Sequence, residues 1–331
     1  MKRIPRLLVG LCLASLSAVA AAAPLLNVSY DVARNLYRDL NPAFAADWQA
    51  KTGQSISIEQ SHGGSSKQAR SVIDGLQADV VTMNNPLDID AIAKAGLISG
   101  NWAQRLPNRA SPSWSPILFI VRKNNPKHIR DWDDLVKPGV AAIIPNPKTS
   151  GNGRYSYLGA WEYALRKNNG DEAQARSFVT ALFRNVPVLD TGGRGATTTF
   201  VQRGIGDVLL TFENEIRLIQ NEFGKDGFEV IVPSLTVRAD NPVAVVERYA
   251  QKKGNEKLAR AYLDYHYSSA GQDLIARNDL RPIDEAVLKK YAERFPAVNT
   301  FSVEQRYGSW SAAQAKHFAD GGLFDQIYAQ R

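Results

Sequence analysis

Cysteine occurs once in the 331 residues, at Cys12, inside the apolar stretch that opens the chain. A disulfide framework is thereby excluded, and so is a zinc site built on thiolates. Histidine is nearly as scarce. His62, His128, His266 and His317 are scattered without ligand spacing, so no resident metal is expected. Long runs of one charge are missing as well. Lys and Arg number 40 against 33 Asp and Glu, but the cations are interleaved with acids, as in 252–257 and 289–294, a pattern of solvated faces rather than of a nucleic-acid footprint. The glycine-rich turns contain neither G-x-x-x-x-G-K-[ST] nor dinucleotide spacing, so no nucleotide cofactor is expected.

What is present begins with a leader. Lys2, Arg3 and Arg6 precede an apolar stretch from Leu7, and the small-residue run 18–23 precedes Pro24. Residues 1–23 read as a secretory signal peptide, cut near Ala20 to Ala23, and the mature protein is expected to be exported. A stable span would need about 20 apolar residues and a different exit. Cys12 would leave with the leader, and Leu11 is too bulky for the small residue that precedes a lipidated cysteine. Removing Lys2, Arg3 and Arg6 leaves 37 cations against 33 acids, a net charge of +4. About 310 residues then remain, enough for two lobes and too few for three large domains.

Strand and helix signals alternate along that remainder. Residues 25–30 read as a strand, and 34–51 as a helix through Leu36, Leu40, Phe44 and Trp48, stopped by Gly53. A strand over 55–59, a helix over 65–76, a strand over 78–83 and a helix over 89–95 follow by period. A second set repeats the scheme, with strands at 116–122, 141–145, 207–212 and 228–233 and helices at 150–166, 171–183, 197–203 and 213–223. The expected fold is α/β in two lobes, each a mainly parallel sheet flanked by helices, with the ligand in the cleft between them. Lobe 1 takes 24–115 and 237–331, lobe 2 takes 116–236, and the chain crosses near 114–122 and 233–241.

Three Gly/Ser/Thr-rich turns, at 61–66, 149–153 and 191–196, each run straight into a helical segment. The first N–H groups of a helix lack intrahelical partners and carry partial positive charge, and glycine lets a ligand approach the backbone closely. Three such ends together can hold a dianion without a cationic side chain touching it. Other readings compete. Ser65 with His62 could be a nucleophile and base in a secreted serine hydrolase, although the chain has no G-x-S-x-G elbow and no catalytic residue is expected. Tyr155 and Tyr157 could face a ferric ion, but two tyrosines on a helix beside tryptophan more often pack. A purely structural envelope protein is the third alternative, and it predicts no stabilisation by ligand.

At these residues the chain resembles the bacterial periplasmic sulfate-binding and thiosulfate-binding proteins, which deliver their anion to an ABC importer. The resemblance runs from Leu25-Leu26-Asn27-Val28-Ser29-Tyr30-Asp31 to His317-Phe318-Ala319-Asp320-Gly321-Gly322. Between them lie Gln60-Ser61-His62-Gly63-Gly64-Ser65, Asn146-Pro147-Lys148-Thr149-Ser150-Gly151 and Arg203-Gly204-Ile205-Gly206-Asp207. It implies a two-lobe type II binding-protein fold that closes on a desolvated sulfate or thiosulfate, held by hydrogen bonds rather than salt bridges. The implied donors are the backbone N–H groups of Ser65, Gly151, Asn152 and Gly193, with the Ser150 hydroxyl. Asp31, His62 and Arg194 would stand behind them, ordering loops and balancing charge. The implied partner is the membrane permease of the importer, the protein acting as a monomer and not as an enzyme.

The departures bear on which anion is bound. Where sulfate-specific members have a tryptophan whose indole reaches the anion, this chain has Phe212, which cannot donate. Gly153 replaces an alanine before Arg154, and Gly193 stands where alanine is common. Losing one hydrogen bond to a charged group weakens sulfate by about 1.5–3 kcal/mol. Phe212 and the run 190–199 look more like the thiosulfate-binding branch, where an apolar ring could line the pocket against the larger terminal sulfur. Both oxyanions stay open.

Overall fold

The alternating signals become two packed α/β lobes in the computed structural model, which describes residues 23–330. The leader and Cys12 lie outside the described residues. Strand β1 (Leu25–Tyr30) leads into helix α1 (Arg34–Thr52), then β2 (Ile58–Gly63), α2 (Ser65–Ile73), β3 (Val80–Thr82), α3 (Pro86–Lys94) and the short α4 (Pro107–Ala110). Helix α1 buries Leu36, Leu40, Phe44 and Trp48 at the spacing that announced it, and ends at Gly53, whose φ of 73° suits glycine. Phe44 alone, packed on Trp48, Tyr262 and Tyr265, contributes about 1.5–3 kcal/mol of burial.

The chain leaves this lobe through β4 (Ser113–Arg122) and adds β5 (Ala142–Ile143), α5 (Gly151–Lys167), α6 (Glu172–Arg184) and α7 (Gly193–Thr197). A π-helical turn, Thr198–Gln202, extends α7. Then come β6 (Val208–Phe212), α8 (Glu213–Phe223), β7 (Phe228–Ile231) and β8 (Thr236–Asp240). The chain returns with β9 (Val243–Val245), α9 (Glu247–Lys253), α10 (Glu256–Tyr265), α11 (Ser269–Arg277) and β10 (Arg281–Pro282). It ends in α12 (Glu285–Lys290), β11 (Thr300–Phe301), α13 (Val303–Tyr307), α14 (Trp310–Ala313) and α15 (Leu323–Tyr328).

The first sheet runs β2-β1-β3-β9, with β1 parallel to β2 and β3 and only β9 reversed. The second departs from the expected parallel arrangement. Its order is β11-β8-β4-β6-β5, and β4 is antiparallel to β6, β7, β8 and β10. A chain that enters a lobe on β4 and leaves on the adjacent β8, with Trp114 opposite Asp240, must run the two strands in opposite directions.

The expected assignment of 237–331 to the first lobe also needs correction. Val243, Leu258, Tyr262 and Ile275 join Leu36 and Phe44 in the first lobe's core. Phe301, Trp310, Phe318, Phe324 and Ile327 instead share a core with Phe119, Trp132, Tyr157 and Trp161 of the second. The chain thus crosses a third time, after β10, where Arg281 makes a buried two-pronged ion pair with Glu213 at 2.7 and 2.9 Å. Amphipathic helices announce an apolar face but not the lobe which that face will cover.

Candidate anion-binding site

Parallel pairing lines up the ends of β1, β2 and β3. Ser29 stands opposite both His62 and Thr82, and Tyr30 opposite Gly63, so the segments beginning at Asp31, Gly64 and Met83 emerge side by side at the carboxyl edge, where α/β sheets place ligands. Residues 61–63, expected as part of a turn, are the paired end of β2, and Gly64 alone bridges to α2. In the second lobe α5 and α7 present their N-termini, with Ser150 and Gly192 as N-caps.

These three helix starts meet. A Cβ on Gly151 would stand 2.2 Å from Asn84 Oδ1 of the first lobe, and one on Gly193 would stand 3.6 Å from Asn152 Nδ2 and 3.8 Å from Val32 Cγ2. Asn152 is held by donating Nδ2–H to Thr211 Oγ1 at 3.0 Å and accepting from the Ser156 hydroxyl at 3.1 Å. Ser65, Ser150, Asn152 and the two glycines are all buried. The structure therefore brings Ser65, Ser150, Gly151, Asn152 and Gly193 to one place between the lobes.

Their chemistry is that of donors. Ser150 Oγ accepts the Gly153 N–H at 3.4 Å, and Ser65 Oγ accepts the Asn84 N–H at 3.3 Å. A hydroxyl that accepts from its own fold keeps its proton to give. The first N–H groups of α2, α5 and α7 precede the first i→i−4 bonds, which start at Gln68, Arg154 and Ala196.

Charges lie behind the donors. Asp31 is held above the usual carboxylate range by burial, opposed by backbone N–H groups, Arg34 and Arg194. Arg194 pairs with Glu215 at 3.4 Å and Glu222 at 3.2 Å. Burial draws the Arg194 guanidinium down, but Glu215 and Glu222 reverse that and raise it. Asp31 and Arg194 line one crevice of about 410 Å³ together with Arg34, Arg38, Glu215 and Glu222. On the opposite flank Arg154 of α5 reaches Asp88 of α3 at 3.7 Å, both buried, and Asp88 also accepts from the Ser66 hydroxyl at 2.8 Å. The sequence pointed to Arg154 only as a motif residue, and Asn84 and Asp88, which fall between the strand expected at 78–83 and the helix expected at 89–95, were missed.

His62 does not pair with Ser65. Its Nδ1 lies 3.3 Å from Ser29 Oγ, and burial together with Arg34 lowers its pKa. The Ser65/His62 pair of the hydrolase reading is therefore not formed: His62 on β2 contacts Ser29 on β1, and Ser65 contacts the segment after β3. Phe212, at the end of β6, is buried with its ring edge-on to Tyr155, centroids 6.1 Å apart. Tyr155 packs in turn on Trp310, and Tyr157 on Phe318 and His317, so both tyrosines are core. Among the described residues no group of three or more His, Cys, Asp or Glu is placed to hold a metal ion, and no helix is long and apolar enough to cross a membrane.

Residues 31–280 match the family model of the bacterial extracellular solute-binding proteins. The chain is 58% identical to a thiosulfate-binding protein of Pseudomonas aeruginosa over 94% of each chain. It is 53% identical to a sulfate-binding protein of Escherichia coli over 95% of this chain and 96% of that one. Among solved structures, the sulfate-binding protein SubI of Mycobacterium tuberculosis superposes with a TM-score of 0.79 at 30% identity, covering 89% of this chain and 99% of that one. With its two-lobe type II architecture and inter-lobe donor cluster, the chain belongs to the bacterial extracellular solute-binding proteins.

Proposed function

We propose that this protein captures sulfate and thiosulfate between its lobes and delivers them to the permease of an ABC importer. It would act in the periplasm as a monomer once residues 1–23 are removed, and it would bind without catalysis. The observation that carries the reading is the convergence of three helix starts with two serine hydroxyls free to donate. Such a cluster suits a fully deprotonated dianion, because its helix-start N–H groups and its serine hydroxyls can all donate. The names of the relatives, thiosulfate-binding and sulfate-binding, support the choice of sulfur oxyanions. Asp31 and Arg194 would balance charge at one edge of the cluster and His62 would order its loop, while Phe212 would line the pocket without donating.

Isothermal calorimetry on the purified protein with sulfate, thiosulfate, phosphate and molybdate tests this. Sulfate and thiosulfate are expected to bind, and to raise the melting temperature once their concentration exceeds the dissociation constant. Phosphate is expected to bind poorly, since near neutral pH it keeps a proton that needs an acceptor. Absence of heat and of stabilisation with both sulfur oxyanions overturns the reading.

A further inference from the structure

Asn84 follows β3 in the first lobe and faces the start of α5 in the second. It is 5% exposed. Its backbone N–H donates to Ser65 Oγ at 3.3 Å, and its Oδ1 stands against Gly151. Two of the converging helix starts therefore touch this one residue. Oδ1 is buried without a hydrogen-bond partner among the described residues. The next residue, Asn85, has a structural task, since its Oδ1 accepts the Leu87 N–H at 3.0 Å and caps α3. No such bond occupies the Asn84 carboxamide oxygen, and buried polar groups are seldom left unmatched without a use.

A carboxamide carries a donor end and an acceptor end of nearly the same outline, and half a turn exchanges them. Sulfate and thiosulfate hold no proton near neutral pH, so the end that meets them must donate. Resting on the proposed capture of a sulfur oxyanion, we infer that Asn84 donates an Nδ2–H to an oxygen of the bound anion, next to Ser65 and Gly151. It is a side-chain donor supplied by the first lobe, in a chain whose Phe212 has no donor to give. Because it is uncharged, it adds a directed contact without adding a counter-charge that would hold any anion.

Calorimetry on the full mature chain tests the assignment, using sodium sulfate and sodium thiosulfate with wild type, Asn84→Ala and Asn84→Asp. Loss of one hydrogen bond to a charged group in Asn84→Ala is expected to weaken both anions by about ten- to a hundred-fold, with the ligand-free melting temperature unchanged. Asn84→Asp keeps the outline but puts a carboxylate beside a dianion. Its binding is expected to fall further near neutral pH and to recover from about pH 8 to about pH 5, as the carboxyl takes a proton and becomes a donor. Asn84→Ala binding both anions within about two-fold of wild type overturns the inference, and so does Asn84→Asp binding as tightly as wild type near neutral pH. A wild type that binds neither anion is a failure of the proposed function, seen before any variant is compared.

Discussion

Gly151 is a residue of the donor cluster that lies directly against Asn84 of the other lobe. Its helical position is one where alanine would ordinarily stabilise, by about 1 kcal/mol. Here the added methyl would meet Asn84 Oδ1 at 2.2 Å, and because the obstacle belongs to the other lobe, its effect falls on closure rather than on the folding of α5. Gly151→Ala is therefore expected to weaken sulfate and thiosulfate by at least about ten-fold while leaving the ligand-free melting temperature within a few degrees of wild type. The same substitution in an Asn84→Ala background meets no side chain, so the two losses should be strongly less than additive in a double-mutant cycle read by calorimetry. Strict additivity would mean that the two residues do not meet when the anion is bound.

At the scale of elements, α5 carries most of the proposed donors, and Ser150, which caps it, is also proposed to meet the anion. The Gly153 N–H reaches Ser150 Oγ at 3.4 Å, a long bond, so Ser150→Ala is expected to cost stability only at the low end for a lost N-cap, about 0.5 kcal/mol by urea unfolding. Its effect on the anion should be larger, about ten- to a hundred-fold in affinity by calorimetry. Unchanged affinity would remove the hydroxyl from the site and leave it only the cap. Much of this element was legible in the sequence: a helix over 150–166 is observed as Gly151–Lys167, and its first glycines are crowded by protein, Gly151 by Asn84 and Gly153 by the backbone of 145–147, whereas the sequence suggested close approach of a ligand. The register of β2 was less legible. The alternation of Ile56 and Ile58 suggested a strand over 55–59, but pairing with β1 shifts it to Ile58–Gly63. Asn84 was hidden because Asn84-Asn85-Pro86 has the composition of a helix N-terminus, which Asn85 fulfils, and only the approach of the second lobe gives its neighbour a different role. A single sequence carries local period and capping, whereas the partner across a cleft is set by the assembled fold.

The whole molecule keeps one buried histidine in each lobe, and this ties its stability to pH. His266 of the first lobe lies against Tyr37 and Tyr262, with Nδ1 2.8 Å from the Tyr262 carbonyl and Nε2 unpartnered. His317 of the second lies among Tyr157, Trp161 and Tyr307, with Nδ1 3.1 Å from Tyr157 Oη and Nε2 unpartnered. Burial lowers His266 to about 4, against the opposing pull of its backbone hydrogen bonds, and burial with Lys316 lowers His317 to about 3. Both are neutral in the fold. Above the unfolded value of about 6.5 their contribution is complete; below it the unfolded chain takes protons that the fold refuses, and stability is lost as pH falls toward the folded values. Each histidine adds about 1.4 kcal/mol per pH unit to that slope. Buried carboxylates act in the opposite sense, since burial raises Asp31, Glu213 and Glu215, and the fold takes up their protons first. The contributions separate in a comparison of wild type with His317→Phe, in which every carboxylate is kept. Urea unfolding between about pH 6 and about pH 4.5 is expected to show the variant losing less stability than wild type, by about 1.4 kcal/mol per unit. His266→Phe should do the same through the other lobe. If the lobes unfold in one transition, both variants flatten the same curve. If they unfold separately, each variant flattens only the transition of its own lobe. A His317→Phe slope equal to that of wild type would mean that His317 takes its proton inside the fold, against the burial of its ring.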